Sequence, residues 1–130
     1  MRRLLVTLAV ASALFAASSL QQQVRAAVPT KVQDTGIGPV LADPDGITLY
    51  TFDNDAPGQS TCQGERADRW HPYWAVESEQ PEGDDTMISR PDGSKQWAYK
   101  GMPLYTLRDD AAPGDIKGDG DGGVWHAVRP

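Results

Sequence analysis

Residues 46–51, Gly-Ile-Thr-Leu-Tyr-Thr, return 55 positions later as Gly-Met-Pro-Leu-Tyr-Thr at 101–106. Asp55 then recurs as Asp110, and Trp70-His71 as Trp125-His126, with the offset unchanged. A register held at both ends of so long a stretch marks two copies of one supersecondary unit. Neither copy is large enough to bury its aromatic face alone. The expected architecture is therefore a small, mainly β domain: two hairpin-based units around a pseudo-twofold, with long loops and at most one short helix.

The first residues read as an address rather than as fold. Arg2-Arg3 precede an apolar stretch from Leu4 to Leu20, and Val24-Arg25-Ala26 supplies small residues at −3 and −1 of a cleavage site before Ala27. Residues 1–26 are thus expected to be a secretory signal peptide, residues 27–37 a flexible lead-in, and residues 38–130 a single domain with repeats over about 38–76 and 86–128. No Cys lies near the cleavage region to carry a lipid. The expected location is the periplasm or the outside of the cell, with no anchor and no membrane insertion after cleavage.

With residues 1–26 removed, nine basic side chains face eighteen acidic ones, a formal charge of −9. Such a domain repels nucleic acid, and no basic stripe is present to neutralise phosphates. The aromatic residues concentrate in the mature part: Phe52, Tyr50, Tyr73, Tyr99, Tyr105, Trp70, Trp74, Trp97 and Trp125. Each can bury roughly 150–250 Å², so these few side chains could supply most of a small core. Cys62 is the only cysteine. In an exported chain it has no intramolecular partner, which leaves a free thiol, an intermolecular bridge or a metal ligand.

Along the mature chain, strands are expected at 38–42 and 47–52, joined by the Asp43-Pro-Asp-Gly46 turn, where Pro presets φ and Gly accepts a positive value. The same chemistry recurs at Pro91-Asp-Gly93, between 87–90 and 95–99, and Lys100-Gly101 turns the chain into 103–107. Alternation places Ile47, Leu49 and Thr51 on one face and Tyr50 and Phe52 on the other. Leu104 matches Leu49, and Tyr105 with Leu107 matches Tyr50 with Phe52. Residues 64–76 are expected to hold one or two helical turns ended by Pro72, and residues 77–85 an acidic connector.

Three constellations invite chemistry. Asp55 and Asp110, each following a Tyr-x-(aromatic or Leu) pair, are either two carboxylates facing across the dyad or two caps on the turns leaving their strands. The loop Asp115 to Gly123 carries Asp115, Asp119 and Asp121. Set against a twelve-residue calcium loop, it has Lys117 and His126 where a carboxylate and a bidentate Glu are required, so only a weak, irregular Ca²⁺ site remains open. Cys62, His71 and His126 offer a thiolate and two imidazoles that would suit zinc or copper, without close metal-ligand spacing. Ser60, Ser78, Ser89 and Ser94 lie in turn-like contexts, and there is no nucleophile elbow or phosphate loop.

Leu49-Tyr-Thr-Phe-Asp-Asn-Asp55, Cys62, Trp70-His-Pro72, Asp92-Gly-Ser-Lys-Gln-Trp97, Gly101-Met-Pro-Leu-Tyr105 and Gly122-Gly-Val-Trp125-His together resemble the bacterial secreted-repeat family, predicted lipoproteins with a Tyr-x-(Phe/Trp/Tyr)-x-x-Asp motif. The resemblance implies an exported protein of tandem copies and carries no catalytic assignment. It makes Tyr50, Phe52, Asp55, Tyr105, Leu107 and Asp110, with Trp70, Trp97 and Trp125, structural residues. Relatives often carry a second Cys where this chain has Arg66, and Pro where it has His71, so the short disulfide loop the resemblance implies is absent. The functional expectation is a non-enzymatic envelope or secreted protein that binds an unidentified protein or small ligand or acts structurally, without a cofactor. The alternative is a periplasmic protein handling Ca²⁺ or a redox metal through the acidic loop or Cys62, His71 and His126.

Overall fold

The computed structural model describes residues 29–61, 68–76 and 78–130. The expected signal peptide, Cys62 and the turns anticipated over 64–67 lie outside the described residues. Among the described residues, ten short strands and one 3₁₀ turn, Asp121–Gly123, are the named elements of regular structure. The protein is mainly β and antiparallel throughout, as its alternating pattern predicts.

Strand β1 (Lys31–Thr35) pairs with β2 (Gly38–Ala42) in a hairpin. Part of the span read as a lead-in is therefore a strand. Its side chains are largely exposed, so alternation gave no sign of it, and the pairing with β2 is what holds it. The counterpart hairpin is β6 (Asp85–Ser89) with β7 (Lys95–Tyr99). Their registers match: Val32 faces Leu41 as Met87 faces Trp97. At Asp43–Gly46 the Asp43 carboxylate accepts the amides of Asp45 and Ile47 at 2.9 and 3.0 Å, and Gly46 takes φ +90°. Lys100 and Gly101, with φ of 50° and 87°, form the two-residue turn from β7 to β8 (Met102–Pro103), the twist-matched geometry for a tight hairpin.

The remaining strands build the centre. Strands β3 (Tyr50–Phe52), β4 (Trp70–Pro72), β9 (Tyr105–Leu107) and β10 (Trp125–Ala127) form a four-stranded sheet in the order β10-β3-β9-β4. Trp70 begins a strand where the sequence suggested a helix ended by Pro72; helical conformation is confined, among described residues here, to Asp68 and Arg69. Pro72 is tolerated because β4 is an edge strand. A third sheet, β5-β7-β6, takes its edge strand β5 (Trp74–Ala75) from the first repeat.

The pseudo-twofold passes between Tyr50 and Tyr105, which face each other as Cα partners. Backbone hydrogen bonds repeat across it. Val128 N–H donates to Leu49 O at 3.1 Å as Tyr73 N–H donates to Leu104 O at 2.9 Å, and Asp53 to Val124 matches Arg108 to Arg69. Leu41 to Val128 matches Trp97 to Tyr73. Strand assignments follow the same symmetry with a crossing: β10 of the second repeat lies on β3 of the first, and β4 of the first on β9 of the second.

The interior divides in two. One cluster holds Val40, Tyr50, Phe52, Trp70, Tyr105, Leu107, Trp125 and Ala127. The other holds Leu41, Leu49, Trp97, Leu104 and Val128. Alternation along β3 and β9 causes the split, since Leu49 and Leu104 take the opposite phase from the tyrosines that follow them. Trp97 belongs to the second cluster, not to the tryptophan stack of the first.

Candidate functional site

The motif residues meet at the dyad. Tyr50 donates its hydroxyl proton to Asp110 Oδ2 at 2.6 Å, and Tyr105 donates to Asp55 Oδ2 at 2.7 Å. Each repeat's tyrosine therefore binds the other repeat's aspartate. The remaining carboxylate oxygens cap the turns beyond the strands. Asp55 Oδ1 accepts Thr61 N–H at 2.7 Å and the Thr61 hydroxyl at 2.8 Å, and Asp110 Oδ1 accepts Lys117 N–H at 3.0 Å. Both aspartates are 7 % exposed. Burial first, and the neighbouring aspartates next, push the phenols of Tyr50 and Tyr105 far above their ordinary range. These tyrosines are permanent donors at neutral pH.

Above them the indoles of Trp70 and Trp125 stack with centroids 3.8 Å apart and planes 2° from parallel. Tyr50 meets Trp70 edge-on at 5.0 Å, as Tyr105 meets Trp125 at 5.1 Å. Phe52 stacks on Trp125 at 4.3 Å. Gly118 closes the stack from the loop side. A Cβ there would overlap the Trp70 ring and lie 2.9 Å from Leu107 Cδ2, and its amide donates to the Tyr50 hydroxyl at 3.3 Å.

The metal candidates are dispersed. Asp115 accepts the amides of Ala111 and Ala112 at 2.9 and 3.0 Å, which hold its carboxyl below the ordinary value. Asp119 accepts Ala127 N–H at 2.9 Å and lies 3.6 Å from Arg129. Asp121 pairs with Arg69 at 2.9 Å. His71 and His126 occupy the two edge strands of the central sheet, with two strands between them, a backbone separation of about 14 Å. His126 Nε2 lies 2.9 Å from Asp53, and His71 Nε2 lies 3.0 Å from the Asp68 carbonyl. Among the described residues no group of three or more His, Cys, Asp or Glu is arranged to hold a metal.

Among the described residues the twofold fails around Tyr105, in a region the sequence did not single out. Where Gly118 approaches Tyr50 in the second repeat, Ser60 contacts the Tyr105 hydroxyl in the first. Arg90, whose counterpart in the repeat register is Thr35, donates from Nη1 to Ser60 Oγ at 2.7 Å and to Gln96 Oε1 at 2.8 Å. Gln96, fully buried, donates to Leu104 O at 2.7 Å. Because Tyr105 gives its proton to Asp55, Ser60 donates to the Tyr105 oxygen. The bonds run one way, Arg90 to Ser60 to Tyr105 to Asp55, joining a guanidinium to a carboxylate through two hydroxyls. A cavity of 370 Å³ opens beside this chain, lined by residues 58–61 and Ser89, Arg90 and Pro91. The Arg90 guanidinium also lies 5.3 Å over the ring of Trp74, which is 50 % exposed on edge strand β5. Only the lack of a match at these positions between the copies could have flagged them from sequence.

Strand-crossed repeats locked by reciprocal Tyr–Asp bonds define a paired-repeat β protein. A family model described as "Secreted repeat of unknown function" matches residues 31–73 and again 86–129. The chain belongs to that family, and the two matched segments are the two halves related by the dyad. The family's secreted character is consistent with a periplasmic or extracellular location, and no helix among the described residues is long and apolar enough to cross a membrane. No curated protein and no solved structure matches the chain.

Proposed function

We propose that this is an exported, soluble, non-enzymatic protein that binds a small polar ligand in the cavity beside Arg90, with the paired repeats as its rigid frame. The observation that carries this reading is where symmetry breaks. The Tyr–Asp locks, the indole stack and the backbone bonds obey the twofold, as a scaffold requires. The cavity, Ser60, Arg90 and the exposed Trp74 do not. The cavity's 370 Å³ is within the usual size of small-molecule sites.

The hydrogen-bond direction supports a binding role over a hydrolytic one. Ser60, Tyr105 and Asp55 are ordered like a nucleophile, a base and an orienting acid. A phenol raised by burial and a neighbouring carboxylate is a poor base at neutral pH, so it does not activate Ser60. The surrounding groups fit an acidic sugar or a polar anion of similar size: a guanidinium, hydroxyls at Ser60, Thr61 and Ser89, and the ring of Trp74 nearby. The strongly acidic remainder of the domain disfavours nucleic acid and anionic membranes.

Titration with glucuronate, followed by amide chemical shifts, tests this. Shifts confined to residues 58–61, Ser89 and Arg90, and lost in Arg90→Ala, are the expected result. A spectrum unchanged at saturating glucuronate and at equal concentrations of a neutral hexose would remove the reading.

A further inference from the structure

We propose that each repeat carries a surface built for a second repeat, and that a second copy of this chain can supply it, giving a dimer in which repeats are exchanged across reciprocal Tyr–Asp locks. The inference is independent of any ligand.

Three pairings hold the central sheet together: β10 on β3, β3 on β9 and β9 on β4. Every one joins strands of different repeats. The two tyrosine–aspartate bonds also cross between repeats, as do the indole stack and the pairing of β5 with β7. One repeat by itself would have no central sheet, a buried carboxylate without its tyrosine and half an aromatic cluster. The surface is also self-complementary, because the same positions, 55 apart, provide both sides of each contact. That is the isologous geometry of a twofold homodimer, here enclosed within one chain. Nothing in these contacts distinguishes a partner repeat on the same chain from one on another.

The connector decides which partner is used. Strands β5 and β6 flank β7 and run parallel. Ala75 ends β5 level with Lys95, and Asp85 begins β6 level with Tyr99. The connector must therefore return four residues along the sheet, about 13 Å, and cross two strand spacings, about 10 Å, a span of roughly 16 Å. Residues 76–84 cover that easily. Removing residues 78–84 leaves three Cα steps, about 11 Å at full stretch, too short to close within one chain and long enough to hand the second repeat to another copy.

Two experiments on the full mature chain test the proposal. The chain lacking residues 78–84 is expected to run at twice its monomer mass while keeping the near-UV circular dichroism of the stacked indoles. Leu49→Asp and Leu104→Asp each place a charge in the second apolar cluster, one in each repeat, and each is expected to unfold its own chain. Mixed in equal amounts, the two variants still offer one intact first repeat and one intact second repeat on different chains. Return of the near-UV signal in a 1:1 complex supports exchange. A folded monomer from the shortened chain overturns it. So does a mixture no more structured than its components, whatever the shortened chain does.

Discussion

The Tyr50 hydroxyl donates to Asp110 Oδ2 at 2.6 Å, across the boundary between the two repeats. With its mirror image from Tyr105 to Asp55, this bond makes each repeat a condition of the other's stability. Tyr50→Phe keeps the ring and its packing but strips a buried carboxylate oxygen of its donor. A loss of about 1–3 kcal/mol follows from leaving such a group unsatisfied. Urea denaturation measures it. Tyr50→Phe combined with Asp110→Ala should cost less than the sum of the two, by about 0.5 kcal/mol or more; strict additivity would mean the bond contributes nothing.

Gly118 has no room for a side chain. Its missing Cβ is where the Trp70 ring lies, and loop and ring cannot both keep their places once a methyl group is added. Gly118→Ala is expected to destabilise by about 1–3 kcal/mol, the usual range for overpacking. It should also reduce the near-UV dichroism of the indole pair. Gly120→Ala, where a Cβ would meet nothing within 4 Å but φ is +84°, serves as the control: it strains the backbone and leaves the indole signal unchanged.

Trp97 is 1 % exposed in the second apolar cluster. Truncating it to Ala, or Tyr105 to Ala, removes a large buried ring, and about 3–5 kcal/mol should be lost. Thermal or urea unfolding would show this. A loss below about 1 kcal/mol would mean that the cluster collapses around the gap or that these rings contribute little.

Asp85 is 7 % exposed. Its Oδ2 accepts the Thr30 hydroxyl at 2.8 Å, while its Oδ1, alone among buried side-chain polar atoms of the described residues, lacks a partner. Burial raises its carboxyl above the ordinary value, Thr30 opposing this and the nearby Asp84 and Glu82 adding to it. A folded-state value above the unfolded one means that the folded protein holds this proton more tightly. The associated stability is complete below the ordinary carboxyl value near 3.8 and is lost as pH rises through the raised one. At neutral pH the charged group therefore opposes folding. Asp85→Asn should raise the melting temperature at neutral pH, and the gap should narrow as the solution is acidified. A gap that is constant with pH would contradict this assignment.

Much of the frame was legible in the chain. The offset of 55 residues located the dyad, and turn chemistry at Asp43–Gly46 and Pro91–Gly93 bracketed β2 and β7 at the residues where the structure places them. What alternation could not show is which copy each strand joins. Trp70 and Trp125 carry the same pattern whether they lie on their own repeat or on the other, because side-chain period reports a face and not a neighbour. Strand β1 escaped detection because its side chains are mostly exposed. The cavity beside Arg90 escaped for another reason: Ser60 meets Arg90 and Gln96 of the β6–β7 hairpin from a distant segment, and no spacing along a chain records such a meeting.

Strand β10, Trp125–Ala127, completes the sheet by lying against β3, some 75 residues earlier in the chain. As the chain folds, the aromatic side chains of the first repeat therefore stay uncovered until the second repeat is available. Contacts so distant along a polypeptide make for slow, late and all-or-none assembly. A chain broken off before Trp125 would lack β10 and leave Trp70 without its stacking partner, so a truncated copy cannot close the first apolar cluster.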